Sequence, residues 1–380
     1  MKPTNLLGLT RDELSDYAEA IGEPRYRGAQ LFKWIYGKRV AEFARMSDIG
    51  KGCRGRLNDS ATIAGVHLVN RQQSGKDGTT KLLFELADGA QVEIVLIPPA
   101  SAFAGKEAAH EDEQRRLTLC VSTQVGCPLD CAFCATATMG FKRNLTAGEI
   151  VDQILQAANV SRRRITNVVF MGMGEPLMNY DNLMKAIEII TAGVGIAARH
   201  ITVSTAWWAD RIRQLADEGR RVKLAVSLHS ADNDTRTSLM PVNRKFNLEC
   251  LLAALEYYYA RTQQRITFEY IFFDGVNDSD AAVEQLVKVA RRVPNKINVI
   301  PFHSIDFTSP RGFSSDLRPS RRVGQIVDHL RAHNLSVFVR SSSGEDIAAA
   351  CGQLAISNNL ARRAATNAGR QRRPNVLHPY

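Results

Sequence analysis

The stretch CPLDCAFC (127–134) sets Cys127, Cys131 and Cys134 within eight residues, and no fourth cysteine follows nearby. Three thiolates on so short a loop can converge on one metal centre. A structural zinc site is normally closed by four protein ligands. An iron–sulfur cluster held by three thiolates instead leaves one iron free to bind something else. The spacing C-x3-C-x2-C therefore predicts a cluster with an open coordination position, and a zinc site is the competing reading.

Working outward, the motif follows a β-branched run, LTLCVST (117–123), and precedes a long alternation. The runs NVVFMG (167–172), HITVST (200–205), VKLAVSLH (222–229), ITFEYIFF (266–273), INVIPF (297–302) and LSVFVRS (335–341) read as strands. Amphipathic segments such as AGEIVDQILQAA, NLMKAIEII and AAVEQLVKVARRV read as the helices between them. Alternating β and α units imply a parallel sheet, doubly wound or barrel-like. Such sheets place their sites at the carboxyl ends of strands. Here those ends carry GMGEP (172–176), Ser204-Thr205 and Ser227-Leu228-His229.

Upstream, the first sixty residues read as helices, with Thr10 and Glu13 at capping-box spacing. The segment RYRGAQLFKWIYGKR mixes Arg25, Arg27, Lys33, Lys38 and Arg39 with aromatics, a composition that suits RNA but also a small packing domain. From 62 to 97 the pattern turns to strands, followed by a polar stretch at 99–116 read as a flexible surface loop. The last twenty or so residues are Arg-rich and acid-free and read as a disordered tail.

The net charge of +10 favours polyanionic partners. Seven cysteines, an odd number unevenly spread, argue for metal binding or catalysis rather than a disulfide framework. Neither a secretory signal nor a run of 18 apolar residues is legible, so the expectation is a cytoplasmic protein.

Two longer stretches, LCVSTQVGCPLDCAFCATATMGFKRNLTAGEIVDQI and VFMGMGEPLMNYDN, together with GEDIAAACGQL, closely resemble the RlmN/Cfr family of radical S-adenosylmethionine (SAM) RNA adenine methyltransferases. The resemblance covers nearly the whole chain. It implies an α/β fold: a partial (β/α)6, TIM-like radical SAM barrel with a small helical accessory domain and a short β-rich linker. The expected boundaries are 1–60 for the helical, RNA-binding part, 61–116 for the connecting region, 117–356 for the core and 357–380 for the tail.

The resemblance also implies roles. Cys127, Cys131 and Cys134 hold a 4Fe-4S cluster; Gly174, Glu175, Ser204, Ser227, Leu228, His229 and Asn298 contact SAM. Cys351 accepts a methyl group, Cys120 resolves the protein–RNA tether through a disulfide with Cys351, and Glu93 takes the ring proton, a part also given to Cys120. Cys53 and Cys250 match nothing and are expected to be structural. The implied substrates are an adenine of large-subunit (23S) ribosomal RNA and one beside the anticodon of tRNA, methylated at carbon 2. Cfr-type members methylate carbon 8. An electron donor such as flavodoxin or ferredoxin and action as a monomer complete the expectation. From another class, a non-catalytic zinc-containing RNA-binding protein is the alternative.

Carbon 2 of adenine lies between two ring nitrogens, electron-poor and without an acidic C–H. It cannot attack a methyl sulfonium, but a carbon radical can add to it. The chain departs from the family at AWWAD (206–210), at IPFHSIDF (300–307) and at Ser343, where arginine is common.

Overall fold

The computed structural model describes residues 3–99, 116–161, 163–308 and 313–356. The loop expected at 99–116, apart from its end residues, and the basic tail lie outside that set.

The N-terminal part is mostly helical: β1 (Thr4–Asn5), α1 (Arg11–Ala20), α2 (Tyr26–Phe32), α3 (Lys51–Ser60) and β2 (Ala61–Thr62). The capping box forms, with Glu13 N–H donating to Thr10 Oγ1 and Thr10 N–H to Glu13 Oε2. The helical expectation misses one feature, since β1 and β2 pair in parallel and tie both ends of this part together. Tyr36, just beyond α2, accepts from Gly8 N–H at 2.8 Å and donates to the Leu9 carbonyl at 2.9 Å. A single apolar core runs from these helices into the rest of the chain.

The main sheet has ten strands. Three are antiparallel: β3 (His67–Gln73), β4 (Thr80–Glu85) and β5 (Gln91–Ile97). Two short strands, β7 (Gln124–Gly126) and β8 (Phe141–Asn144), form a separate hairpin around the cysteine loop. The parallel part follows as β6 (Thr118–Cys120), α4 (Ala147–Ser161), β9 (Asn167–Phe170), α5 (Tyr180–Ile189), β10 (Ile201–Thr205), α6 (Ala209–Asp217) and β11 (Lys223–Ser227). Then come α7 (Asn233–Leu239), α8 (Leu248–Thr262), β12 (Ile266–Tyr270), α9 (Asp280–Ala290), β13 (Asn295–Val299), a short α10 (Phe313–Asp316), α11 (Val323–Ala332) and β14 (Val337–Val339). Six βα units lead up to a final strand, and all seven strands run parallel in chain order. Central strands are buried on both faces, as β12 is along its whole length, which is why they read as continuous apolar runs.

The region from 61 to 97 is continuous with this sheet. Strand β5 pairs antiparallel with β6, Val95 opposite Cys120, so the three upstream strands extend the parallel ones. The outer strands of the sheet are β3 and β14. The segment after β14 turns back toward the antiparallel strands, where Gly344 N–H donates to Asp77 and Ala355 N–H to Glu93. Cys351 rides on that returning segment.

Candidate active site

The cysteine loop is pinned from several directions. Cys127 N–H donates to the Gly140 carbonyl at 3.0 Å, Ala132 N–H to Leu239 O at 2.9 Å and Ala135 N–H to Gly352 O at 2.6 Å. Leu129, Phe133, Trp207, Met240 and Phe273 pack an apolar shell against the three half-buried cysteines. Burial raises all three thiols, Cys127 to about 12 with a further push from Cys134. Thiolates in such a place need a strongly cationic partner, so the donor chemistry fits a metal cluster. His229 also lines this cavity but makes a poor fourth ligand. Its Nδ1 accepts from Ile271 N–H at 3.1 Å, and burial lowers its pKa to about 3, so it is neutral with Nε2 carrying the proton.

Beside the cysteines, the turn after β9 forms a second feature. Gly174 has φ of +101°, and a Cβ there would stand 2.5 Å from the Gln124 side chain. Only glycine permits that approach. Gln124 accepts from Glu175 N–H at 2.8 Å and so fixes the turn. The Glu175 carboxylate accepts from Leu177 N–H at 3.1 Å and Ala206 N–H at 3.0 Å. Burial still pushes its pKa up to about 7, against the pull of those bonds. A buried carboxylate poised near neutrality is well suited to an ammonium group.

These groups border an open cavity of about 800 Å³, lined by Cys127, Cys131, Cys134, Gly174, Glu175, Ser204, Ser227, His229 and Cys351 among others. Two residues expected here lie outside the wall. Leu228 is fully buried, its N–H on Glu269 O and its carbonyl receiving Arg236 Nε at 3.1 Å. Asn298 donates to Glu269 Oε1 at 3.1 Å. Both support the wall rather than form it.

A second cavity, of about 530 Å³, lies on the other side of Cys351. Cys120, Arg340, His303 and Ser341–Ser343 line it, and it shares Met171, Ile300, Cys351 and Gly352 with the first. Gly352, at φ +82°, brings this segment against the cysteine loop, where a Cβ would meet Phe133 O at 3.2 Å. Burial pushes the Cys120 thiol up to about 12, with nearby Cys351 adding to it. Glu93 is only 1% exposed and lines neither cavity. It pairs with Lys81 at 3.2 Å, and burial raises its pKa in spite of that charge.

Four polar residues at the heart of the site escape sequence reading. Arg340 Nη1 stands 3.7 Å from Cys351 Sγ and 3.6 Å from the Glu269 carboxylate. Glu269 is buried on β12, its Oε2 without a hydrogen bond. A charged residue inside an otherwise apolar strand was the one available signal. Arg236 is fully buried and ties Ala206, Ser227, Leu228 and Asn243 together, joining the ends of β10 and β11. Its segment, NDTRTSL, looks like an ordinary surface helix. Lys81 is equally silent in sequence.

Trp207 and Trp208 stack on each other at 5.0 Å, and Trp207 is buried against Phe246 at 5.4 Å. The pair rebuilds the shell near the cysteine loop and is not a free stacking platform. Cys53 is buried as expected of a structural residue, but Cys250 is exposed in the first turn of α8, so packing does not explain it. In the N-terminal part, Trp34 is buried, the exposed Arg25 is engaged by Asp16 and Glu19, and Lys33, Lys38 and Arg39 are exposed as well.

Comparison with known proteins places this geometry. Residues 121–288 match the radical SAM superfamily, and residues 4–63 match the ribosomal RNA large subunit methyltransferase N-terminal domain. A probable dual-specificity RNA methyltransferase RlmN of Salinibacter ruber is 44% identical, over 92% of this chain and 94% of that one. The dual-specificity RNA methyltransferase RlmN of Syntrophobacter fumaroxidans is 42% identical, over 93% and 98%. A crystal structure of a radical SAM methyltransferase from Sphaerobacter thermophilus superposes with a TM-score of 0.82 at 41% identity, covering 93% of this chain and 99% of that one.

Proposed function

The chain belongs to the RlmN family of radical SAM RNA methyltransferases, and from that premise we propose that it methylates carbon 2 of an adenine in large-subunit ribosomal RNA and of an adenine in tRNA. The protein is a methyltransferase that uses a 4Fe-4S cluster and SAM. One observation carries the proposal: Cys351 stands in the wall common to the cysteine-loop cavity and the Cys120 cavity. A residue that must receive a methyl group on one side and deliver it on the other belongs in that wall.

Cys127, Cys131 and Cys134 hold the cluster, and Glu175 with the Gly174 turn receives the SAM amino group. Ser204, Ser227 and His229 border the rest of that ligand. When bound, these groups supply a carbon-centred radical, chemistry no side chain provides alone. Cys351 accepts a methyl group and, as its methylene, bonds to the electron-poor ring carbon. Arg340 holds the Cys351 side chain in place. Glu93, whose burial favours its protonated form, ends with the ring proton, while Lys81 steadies its charge beforehand. Cys120, across from β5, releases the product: its sulfur bonds to Cys351 Sγ as the bond from Sγ to the methylene breaks, and its proton goes to the methylene carbon, which becomes the methyl group. The adenine must leave its stack to reach Cys351. Exposed Lys33, Lys38 and Arg39, within a chain of net charge +10, supply phosphate contacts. A low-potential donor such as flavodoxin or ferredoxin supplies electrons to a monomer in the cytoplasm.

Nucleoside mass spectrometry after reaction with ribosomal RNA and tRNA tests this. We expect 2-methyladenosine from both. Only 8-methyladenosine, or no methylated adenine with reductant and SAM present, would overturn it.

A further inference from the structure

Outside both cavities, three ligating side chains gather on the helical layer. Glu284 on α9, His329 on α11 and His333 at the end of α11 place their donor atoms within 4.8 Å of one another. The two histidines are four residues apart and share one helix face. Glu284 reaches across from the neighbouring helix to 2.8 Å from His329 Nε2. The imidazole rings lie 4.4 Å apart.

The tautomer of His333 adds an independent sign. Its Nδ1 lies 2.9 Å from the His329 carbonyl oxygen, which can only accept. Nδ1 therefore carries a proton, which in the neutral ring leaves the lone pair on Nε2. An imidazole oriented by a carbonyl in this way is the usual state of a histidine that binds metal. Arg322, which borders the same hollow as His329, is paired with Asp280.

We propose that Glu284, His329 and His333 form a surface site for a divalent transition cation that braces α9 to α11. Two imidazole nitrogens and one carboxylate suit zinc and its first-row neighbours, with water completing the shell. Calcium and magnesium prefer all-oxygen sets and are disfavoured here. The brace acts on the helices that flank β13 and β14, and β14 leads directly into Arg340 and the Cys351 segment.

The test is a zinc titration of tag-free, cluster-loaded protein against a chromophoric chelator, so that the cluster cysteines are already occupied. We expect one zinc per chain at micromolar free metal. His333→Gln and Glu284→Gln should each weaken binding by about tenfold or more. Zinc should also raise the thermal midpoint of the unaltered protein but not of either variant. All three side chains are at least partly exposed, so these substitutions leave the core intact. Equal zinc uptake by both variants overturns the assignment, as does an unaltered chain that takes up none.

Discussion

On one side of Cys351 the cavity wall is carried by short loops that follow parallel strands; on the other it is carried by β6 and the returning C-terminal segment. The first side is built on short loops at successive strand ends, with thiols, a glycine turn and backbone amides holding one carboxylate. The second depends on charges drawn from far apart. Glu93 meets Lys81 and Ala355 N–H, while Arg340 stands between Glu269 and Cys351. A loop-built site can be rigid because its backbone is pinned at many points. A site built from buried ion pairs is only as firm as its least satisfied charge.

The sharpest break between the two sides should come at the residue they share. Cys351→Ala should lower methyl transfer about 10⁴-fold or more while the protein keeps its iron and sulfide. Loss of iron along with activity would mean that the two sides are not separable. Next comes Lys81→Met, which leaves Glu93 buried without its partner and should cost about 3–5 kcal/mol in anaerobic urea unfolding. Glu93 binds its proton more readily folded than unfolded, so its stability contribution is present at low pH and is lost as pH rises through its raised pKa. The variant should therefore suffer more at pH 8 than at pH 5, and a pH-independent loss under 1 kcal/mol would count against the pair.

On the loop-built side, Glu175 with a pKa of about 7 must ionise to hold an ammonium group. SAM affinity of cluster-loaded protein should therefore rise about eightfold from pH 6 to 7.5, and Glu175→Gln should flatten that profile. An unchanged profile in the variant would remove Glu175 from the role. The smallest effect should be that of Asn298→Ala. Because Asn298 supports Glu269 rather than lining the cavity, SAM affinity should fall only about threefold, the low end of what one hydrogen bond contributes. A hundredfold fall, measured by equilibrium dialysis, would restore it as a direct ligand.

The same contrast explains what could be read without coordinates. Cys127, Cys131, Cys134 and the Gly174-Glu175 turn were legible, because their spacing alone brings them to one loop or one strand end. Ser204, Ser227 and His229 followed from the rule that parallel strands end at the site. Leu228, which the same rule offered, and Asn298, which the resemblance implied, do not line the cavity: Leu228 sits between Ser227 and His229 with its side chain in the core, and Asn298 is tied to Glu269. The sheet's extension through β5 and β6 was hidden because strand pairing leaves no local mark across residues 98–117.

Periodicity, capping and cysteine spacing are short-range properties, so the chain alone determined its alternating α/β core, its capped first helix and the loop that gathers three thiols. Burial and charge neutralisation depend on whichever segments the fold brings together. Only the tertiary structure could therefore decide that Glu93 is buried against Lys81, that Arg236 locks two strand ends, and that Arg340 and Glu269 meet beside Cys351.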